Sequence, residues 1–167
     1  MNEDQISVRP SWGHIDEVIH LNHDQTLVSK EMLADRILIA ERMHRYGWAF
    51  DERQEEALSE CFTESATWQA SIMGTSTIGP FKGKSEIINF MKGFWPNQLD
   101  QRRHNITNVI VESQSEKAAN VMAYLVLMSA SAQGLKPVTT GFYKVEMVKS
   151  DGTWKIQTLL VGFDLSY

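Results

Sequence analysis

"HNITNVIVESQSEKAANVMAYLVLMSA", residues 104–130, decides the fold. After His104 the apolar residues Ile106, Val109 and Val111 alternate with polar ones. The polar break ESQSEK follows, then a second long apolar run. That is the pattern of two strands joined by a turn, and it continues downstream. The pattern predicts strands over 104–112, 118–132, 138–149 and 153–164. ESQSEK, AQGLKP and KSDG connect them, with Asp151-Gly152 the strongest turn signal.

Upstream the period changes. From residue 30 to 61 two adjoining stripes recur at spacings of three and four: Leu33, Ile37, Ala40, His44, Gly47 and Asp51, beside Ile39, Met43, Tyr46 and Phe50, with His44, Tyr46 and Asp51 the polar exceptions. This predicts one broad inward helical face with Ser29 as its cap, then a short helix ending near Cys61. Residues 66–73 read as a strand, GTSTIGPFKG as turns, and 85–95 as a helix stopped by Pro96. Helices followed by a long antiparallel meander predict an α+β fold, its helices packed on one face of a strongly curved, mostly antiparallel sheet. The curl leaves a conical interior open at one end, where small apolar ligands bind. Residues 1–28, with Pro10, Trp12, His14, His20 and His23, read as an N-terminal arm, and residues 29–167 as the single domain.

Composition narrows the function. A chain of 167 residues with 43% hydrophobic content supports one domain with one substantial core. The net charge of −5 offers no basic footprint for phosphates, so nucleic acid is excluded as the expected partner; Arg102 and Arg103 read as a solvated or subunit-facing local pair. Cys61, the sole cysteine, excludes an internal disulfide. The first residues lack the order of a signal peptide, and no apolar run reaches membrane-span length, so a cytoplasmic protein without membrane contact is expected. His14, His20 and His23 do not repeat one helical face and no carboxylate constellation accompanies them, so no metal is expected. No phosphate-cradling glycine loop, nucleophile elbow or metal-ligand motif is present, and no cofactor is expected.

Several segments, in this order and spacing, resemble the SnoaL-like branch of the nuclear transport factor 2-like superfamily over about residues 32–165. They are Tyr46 with Asp51, CFTESATW (61–68), GPFKGKSEIINFM (79–91), RRHNITN (102–108), GFY (141–143) and DGTWKI (151–156). The resemblance implies a cone-shaped α+β barrel, often a homo-dimer or homo-trimer, with a pocket running into the cone. Its enzymes include dehydratases, a dehydrochlorinase and polyketide cyclases; other members bind ligands or scaffold complexes without catalysis. In the dehydratases and the dehydrochlorinase, an aspartate ending the first long helix bonds a histidine on the strand after the second. The resemblance places Asp51 and His104 in those roles, with Tyr46 as a hydrogen-bond donor. A second histidine or acid, found on the next strand of two relatives, has no counterpart around Leu127-Met128-Ser129.

The chemistry of such a pair is general. Histidine is suited to accept a proton near neutral pH, and a buried carboxylate on one ring nitrogen fixes the tautomer and aims the other at a substrate. Tyr46 would then hold a carbonyl or leaving-group oxygen. This implies a cofactor-independent lyase, isomerase or cyclase acting on a medium-sized apolar molecule such as a polyketide, terpenoid or steroid-like compound. Trp68, Met128, Tyr143, Tyr124 and Phe163 are the expected pocket walls, Tyr124, Ser129 and Tyr143 are the candidates for a polar group opposite the pair, and an oxyanion role for Arg102 or Arg103 is the lesser reading of those two arginines. The structural alternative stands beside it: Asp51 caps the short helix that follows, His104 merely begins a strand, and the cone belongs to a non-catalytic binding or assembly module. One distance, His104 to Asp51, discriminates the two.

Overall fold

Ser29 opens the longest helix by accepting a hydrogen bond from the backbone N–H of Met32 at 3.3 Å, satisfying one of the donors a helix start leaves bare. The computed structural model describes residues 8–22 and 28–166. Its helices are α1 (Trp12–Ile15), α2 (Lys30–Asp51), α3 (Glu55–Glu60) and α4 (Lys84–Lys92), with a 3₁₀ turn at Trp95–Asn97. Its strands are β1 (Phe62–Ile72), β2 (Ser76–Lys82), β3 (Gln101–Gln114), β4 (Ala118–Ser131), β5 (Gly134–Ser150) and β6 (Thr153–Phe163). All six strands form one curved sheet in the order β2-β1-β6-β5-β4-β3, parallel only between β1 and β6. Register shifts between every neighbouring pair are the local kinks that bend long strands.

Strand alternation builds the core. Val121, Ala123, Leu125 and Leu127 of β4, Tyr143, Val145 and Met147 of β5, and Leu159, Val161 and Phe163 of β6 all turn to the side where α2 packs. From α2 they meet Ile39, Met43 and Tyr46, each almost wholly buried. Trp154 anchors the other end of this contact. Its Nε1 donates to Asp35 Oδ1 at 3.0 Å, and Lys149 Nζ donates to the same oxygen at 2.7 Å.

The Lys149 hydrogen bond holds the Asp35 carboxyl below its ordinary range, against the opposing effect of burial and with help from Trp154. A carboxyl depressed in the folded state adds stability that is present above the unfolded value, about pH 3.9, and is lost as pH falls through the folded value. Asp35→Asn is therefore expected to flatten the acid side of a plot of Tm against pH. At neutral pH its cost is no more than about 1 kcal/mol, because the pair is partly screened by solvent. An unchanged acid slope would remove Asp35 from the ledger of acid-labile contacts.

Four expected features differ. GTSTIGPFKG contains the strand β2 rather than turns alone: β2 lies at the sheet edge, where Pro80 costs no ladder bond, and the shift between Trp68 and Ala70 absorbs Gly79-Pro80. Helix α4 ends at Lys92, with Gly93 as its cap, and Pro96 sits in the 3₁₀ turn beyond it. The inward face of α2 is narrower than the sequence suggests. Leu33 (52% exposed), Ile37 (70%) and His44 point to solvent, because the sheet meets only the Ile39, Met43, Tyr46 stripe. Finally, β5 starts at Gly134, so much of AQGLKP is strand.

The first described segment crosses the outer face of the sheet. Trp12 is buried there, its ring centroid 5.0 Å from that of Phe142 and its Nε1 donating to Asp164 Oδ1 at 2.8 Å. Farther along, Lys144 Nζ donates to the carbonyl of Val18 at 3.0 Å, and the N–H of Asn22 donates to Glu112 Oε2 at 3.2 Å. His14 and His20 stack with centroids 5.7 Å apart, and His23 lies outside the described residues.

Candidate functional site

Helix α2 and strand β3 approach closely because Gly47 faces β3. A Cβ at Gly47 would sit 3.4 Å from His104 Cβ and 3.3 Å from Ile106 Cδ1, tighter than ordinary packing. One turn later Asp51 closes the helix, and its carboxylate reaches across to His104 twice. Oδ2 accepts the His104 backbone N–H at 2.7 Å, and Oδ1 lies 2.6 Å from ring Nδ1. Both side chains are nearly buried, 6% exposed for Asp51 and 7% for His104. A carboxylate only accepts, so the contact assigns a proton to Nδ1, and in the neutral imidazole that tautomer leaves the lone pair on Nε2. Asp51 occupies the negative end of the helix dipole, a placement that opposes helix stability.

His104 lines a cavity of about 410 Å³, within the range of small-molecule sites. Tyr46, Phe50, Trp68, Tyr143 and Phe163 share its wall. The Phe50 ring lies 5.1 Å from the His104 ring, and the Tyr46 and Tyr143 rings meet edge to face at 6.0 Å. Phe90 packs between Trp68, at 5.0 Å, and Phe94, at 5.1 Å, near the mouth. The segment between α4 and β3 forms the rim: Arg53 Nη2 donates to the carbonyl of Gln98 at 2.7 Å, and Gln101 Nε2 to that of Asp51 at 3.2 Å.

Of the residues expected at the site, Asp51, His104, Tyr46, Trp68, Tyr143 and Phe163 gather around one cavity, Asp51 through His104. Met128 and Tyr124 do not. Both belong to the opposite parity of β4 from Leu127, which opposes His104 in the β3–β4 register and lines the cavity in their place. Tyr124, 56% exposed, faces a smaller outer hollow of about 250 Å³ beneath the N-terminal segment.

Of three polar residues here, Asp100 was missed, Arg102 was read chiefly as a solvated or subunit-facing residue, and Ser129 was a candidate for a polar group opposite the Asp51–His104 pair. Asp100 and Arg102 line the cavity with His104, and Arg102 Nε donates to Asp100 Oδ2 at 2.6 Å. The Ser129 hydroxyl donates to the same oxygen. That hydroxyl, followed by Arg102, holds the Asp100 carboxyl below its usual range despite burial. Parity was the available signal, since Arg102 and His104 are two residues apart on one strand and share a face. Arg103, by contrast, points away and pairs with Glu52 at 2.7 Å.

A SnoaL-like domain pattern matches residues 31–159. Among curated proteins, no sequence matches significantly. Solved structures share the fold at low identity. One is a Mycobacterium tuberculosis protein of unknown function, 20% identical with a TM-score of 0.69, covering 80% of this chain and 73% of its own. A Novosphingobium aromaticivorans protein taken to be the beta subunit of an aromatic-ring-hydroxylating dioxygenase is 14% identical with a TM-score of 0.73, covering 83% and 94%. A Catenulispora acidiphila protein in complex with S-DNPA is 20% identical with a TM-score of 0.69, covering 79% and 95%. Among the described residues, no helix is long and apolar enough to cross a membrane, and no group of histidine, cysteine and carboxylate side chains could hold a metal ion.

Proposed function

The chain belongs to the SnoaL-like domain family, and from that premise we propose that it is a cofactor-independent lyase, isomerase or cyclase that removes a proton from an apolar small molecule. The observation that carries this reading is the Asp51 carboxylate 2.6 Å from Nδ1 of a histidine that lines an aromatic cavity. His104 Nε2 accepts the proton, Asp51 fixes the tautomer and stabilises the imidazolium, and Tyr46 donates to an oxygen of the substrate. Trp68, Tyr143 and Phe163 provide the apolar walls. The buried Trp68 Nε1 has no hydrogen-bond partner among the described residues, a state that a ligand oxygen would relieve. A substrate of polyketide, terpenoid or steroid type fits walls of this kind.

An assembly of two or three copies in the cytoplasm belongs to the same proposal. Leu33, Ile37 and Trp48, exposed along one flank of α2, support the assembly. The second reading is a non-catalytic binding or assembly module, favoured by the likeness in fold to the dioxygenase-type beta subunit.

Proton exchange separates the two readings. A panel of apolar ketones is incubated with protein in D₂O, and loss of the α-proton signal is followed by NMR. Wild type is expected to accelerate exchange of at least one compound, and His104→Ala to lose about 10²- to 10⁴-fold of that rate. Equal rates in both proteins would remove His104 as the base, and binding without exchange in wild type would leave the module.

A further inference from the structure

Strand β3 places Arg102 and His104 on the same face of the cavity, their Cα atoms roughly 6.4–6.8 Å apart by the rise of two strand residues. Their surroundings differ along that face. His104 is opposite Leu127 and packs on Phe50; Arg102 is opposite Ser129 and pairs with Asp100. Asp100 takes the Nε edge of Arg102 and is itself gripped by the Ser129 hydroxyl, so the guanidinium plane is fixed at the wall. Side-chain exposure is 26% for Arg102 and 17% for Asp100, enough shielding for a planar cation to act more strongly than in water.

We propose that Arg102 joins Tyr46 as an oxyanion-binding residue of this cavity, and that the substrate is an apolar molecule with a ketone or aldehyde carbonyl whose neighbouring C–H faces His104. This rests on the proton-transfer reading above and adds to it the substrate's functional group. In the step it describes, the α C–H bond breaks and the proton goes to His104 Nε2. The C–H electron pair becomes the carbon–carbon double bond of an enolate, and the carbonyl π pair moves onto oxygen, where Arg102 meets the new charge. A carbonyl oxygen and its α-carbon belong to one short unit, and both side chains line the one cavity it would occupy. Asp100 and Ser129 are positioning residues in this arrangement. Asp100 stays ionised well below neutral pH, since the Ser129 hydroxyl and Arg102 both hold its carboxyl low, so the guanidinium keeps its orientation over the working range.

The test uses 2-naphthol, whose ionised form copies an enolate oxygen on an apolar ring, against neutral naphthalene, both followed by fluorescence titration across the ionisation of the naphthol. Wild type is expected to bind naphtholate at least tenfold more tightly than naphthalene. In Arg102→Met that preference is expected to fall by at least tenfold, with naphthalene affinity unchanged within threefold. Binding of naphtholate involves no proton transfer from carbon, so loss of the base assignment in the exchange experiment and loss of this proposal are read separately. Should Arg102→Met fail to fold, Arg102→Lys, which keeps the charge but loses the planar fork, is expected to show at least a threefold smaller preference. Wild-type binding with no naphtholate preference, or a preference unchanged in the folded Arg102 variant, overturns the proposal.

Discussion

Asp51→Asn is expected to slow proton exchange at His104 by about 10³- to 10⁴-fold while shifting the melting temperature by only a few degrees. The two oxygens of Asp51 receive two donors, the backbone N–H and the ring Nδ1–H of His104. An amide in the same place keeps one oxygen for the backbone N–H and turns its NH₂ toward the ring. Nδ1 must then accept, the ring proton moves to Nε2, and the atom facing the cavity no longer has a lone pair. The same reversal of tautomer costs serine proteases about 10⁴-fold with the geometry intact. Asp51→Leu differs in kind: it leaves two buried donors without partners and is expected to cost about 2–4 kcal/mol of stability. Exchange rates for Asp51→Asn, with urea unfolding of both variants, check the pair. A mere threefold loss of exchange in the folded Asn variant would mean that Asp51 holds the strand and does not set the tautomer.

The largest stability loss outside the site is expected at Gly141→Ala, about 3 kcal/mol. Gly141 pairs with Phe163 across β5 and β6, and a methyl group built on it overlaps the carbonyl oxygen of Gly162. The obstacle is backbone, so no rotamer change relieves it, and the two strands must part where Phe163 forms the cavity wall. Overpacking typically costs 1–3 kcal/mol, and an overlap with the main chain belongs at the upper end. The urea midpoint should fall at an unchanged m-value. A loss below about 1 kcal/mol would show that the β5–β6 ladder yields locally.

Most of the architecture was legible because long periodic segments carry strong signals. The α2 helix, the α4 helix and the four-strand meander follow from spacing alone. What failed has separate physical causes. Leu33 and Ile37 satisfy helical spacing as well as Ile39 and Met43 do, and nothing in one helix tells which flank the sheet will meet. The apolar run around Tyr124 and Met128 lacks the polar alternation that would mark its inner face, so the parity of β4 could be read either way. The register opposite His104 decides it for Leu127. GTSTIGPFKG read as turns from its composition, and only the edge position of β2 lets a strand hold Pro80. Residues Asp51 and His104 are 53 positions apart; only the resemblance, not spacing, brought them together. Asp100 and Arg102 carried a readable parity but no periodic partner, and their link through Ser129 closes only in three dimensions.

Strand order has a consequence for how the molecule is made. β6 is the last of the six strands to leave the ribosome, yet it lies between β1 and β5. Until residues 153–163 emerge, the β1–β2 hairpin and the β3–β5 meander each hold an unpaired edge, and the wall formed by Val161 and Phe163 does not exist. Closure is therefore a late, long-range event that joins two half-sheets at once, of the kind that folds slowly and exposes bare edges meanwhile. Truncation within β6 should accordingly yield a chain that aggregates through those edges rather than a smaller working barrel.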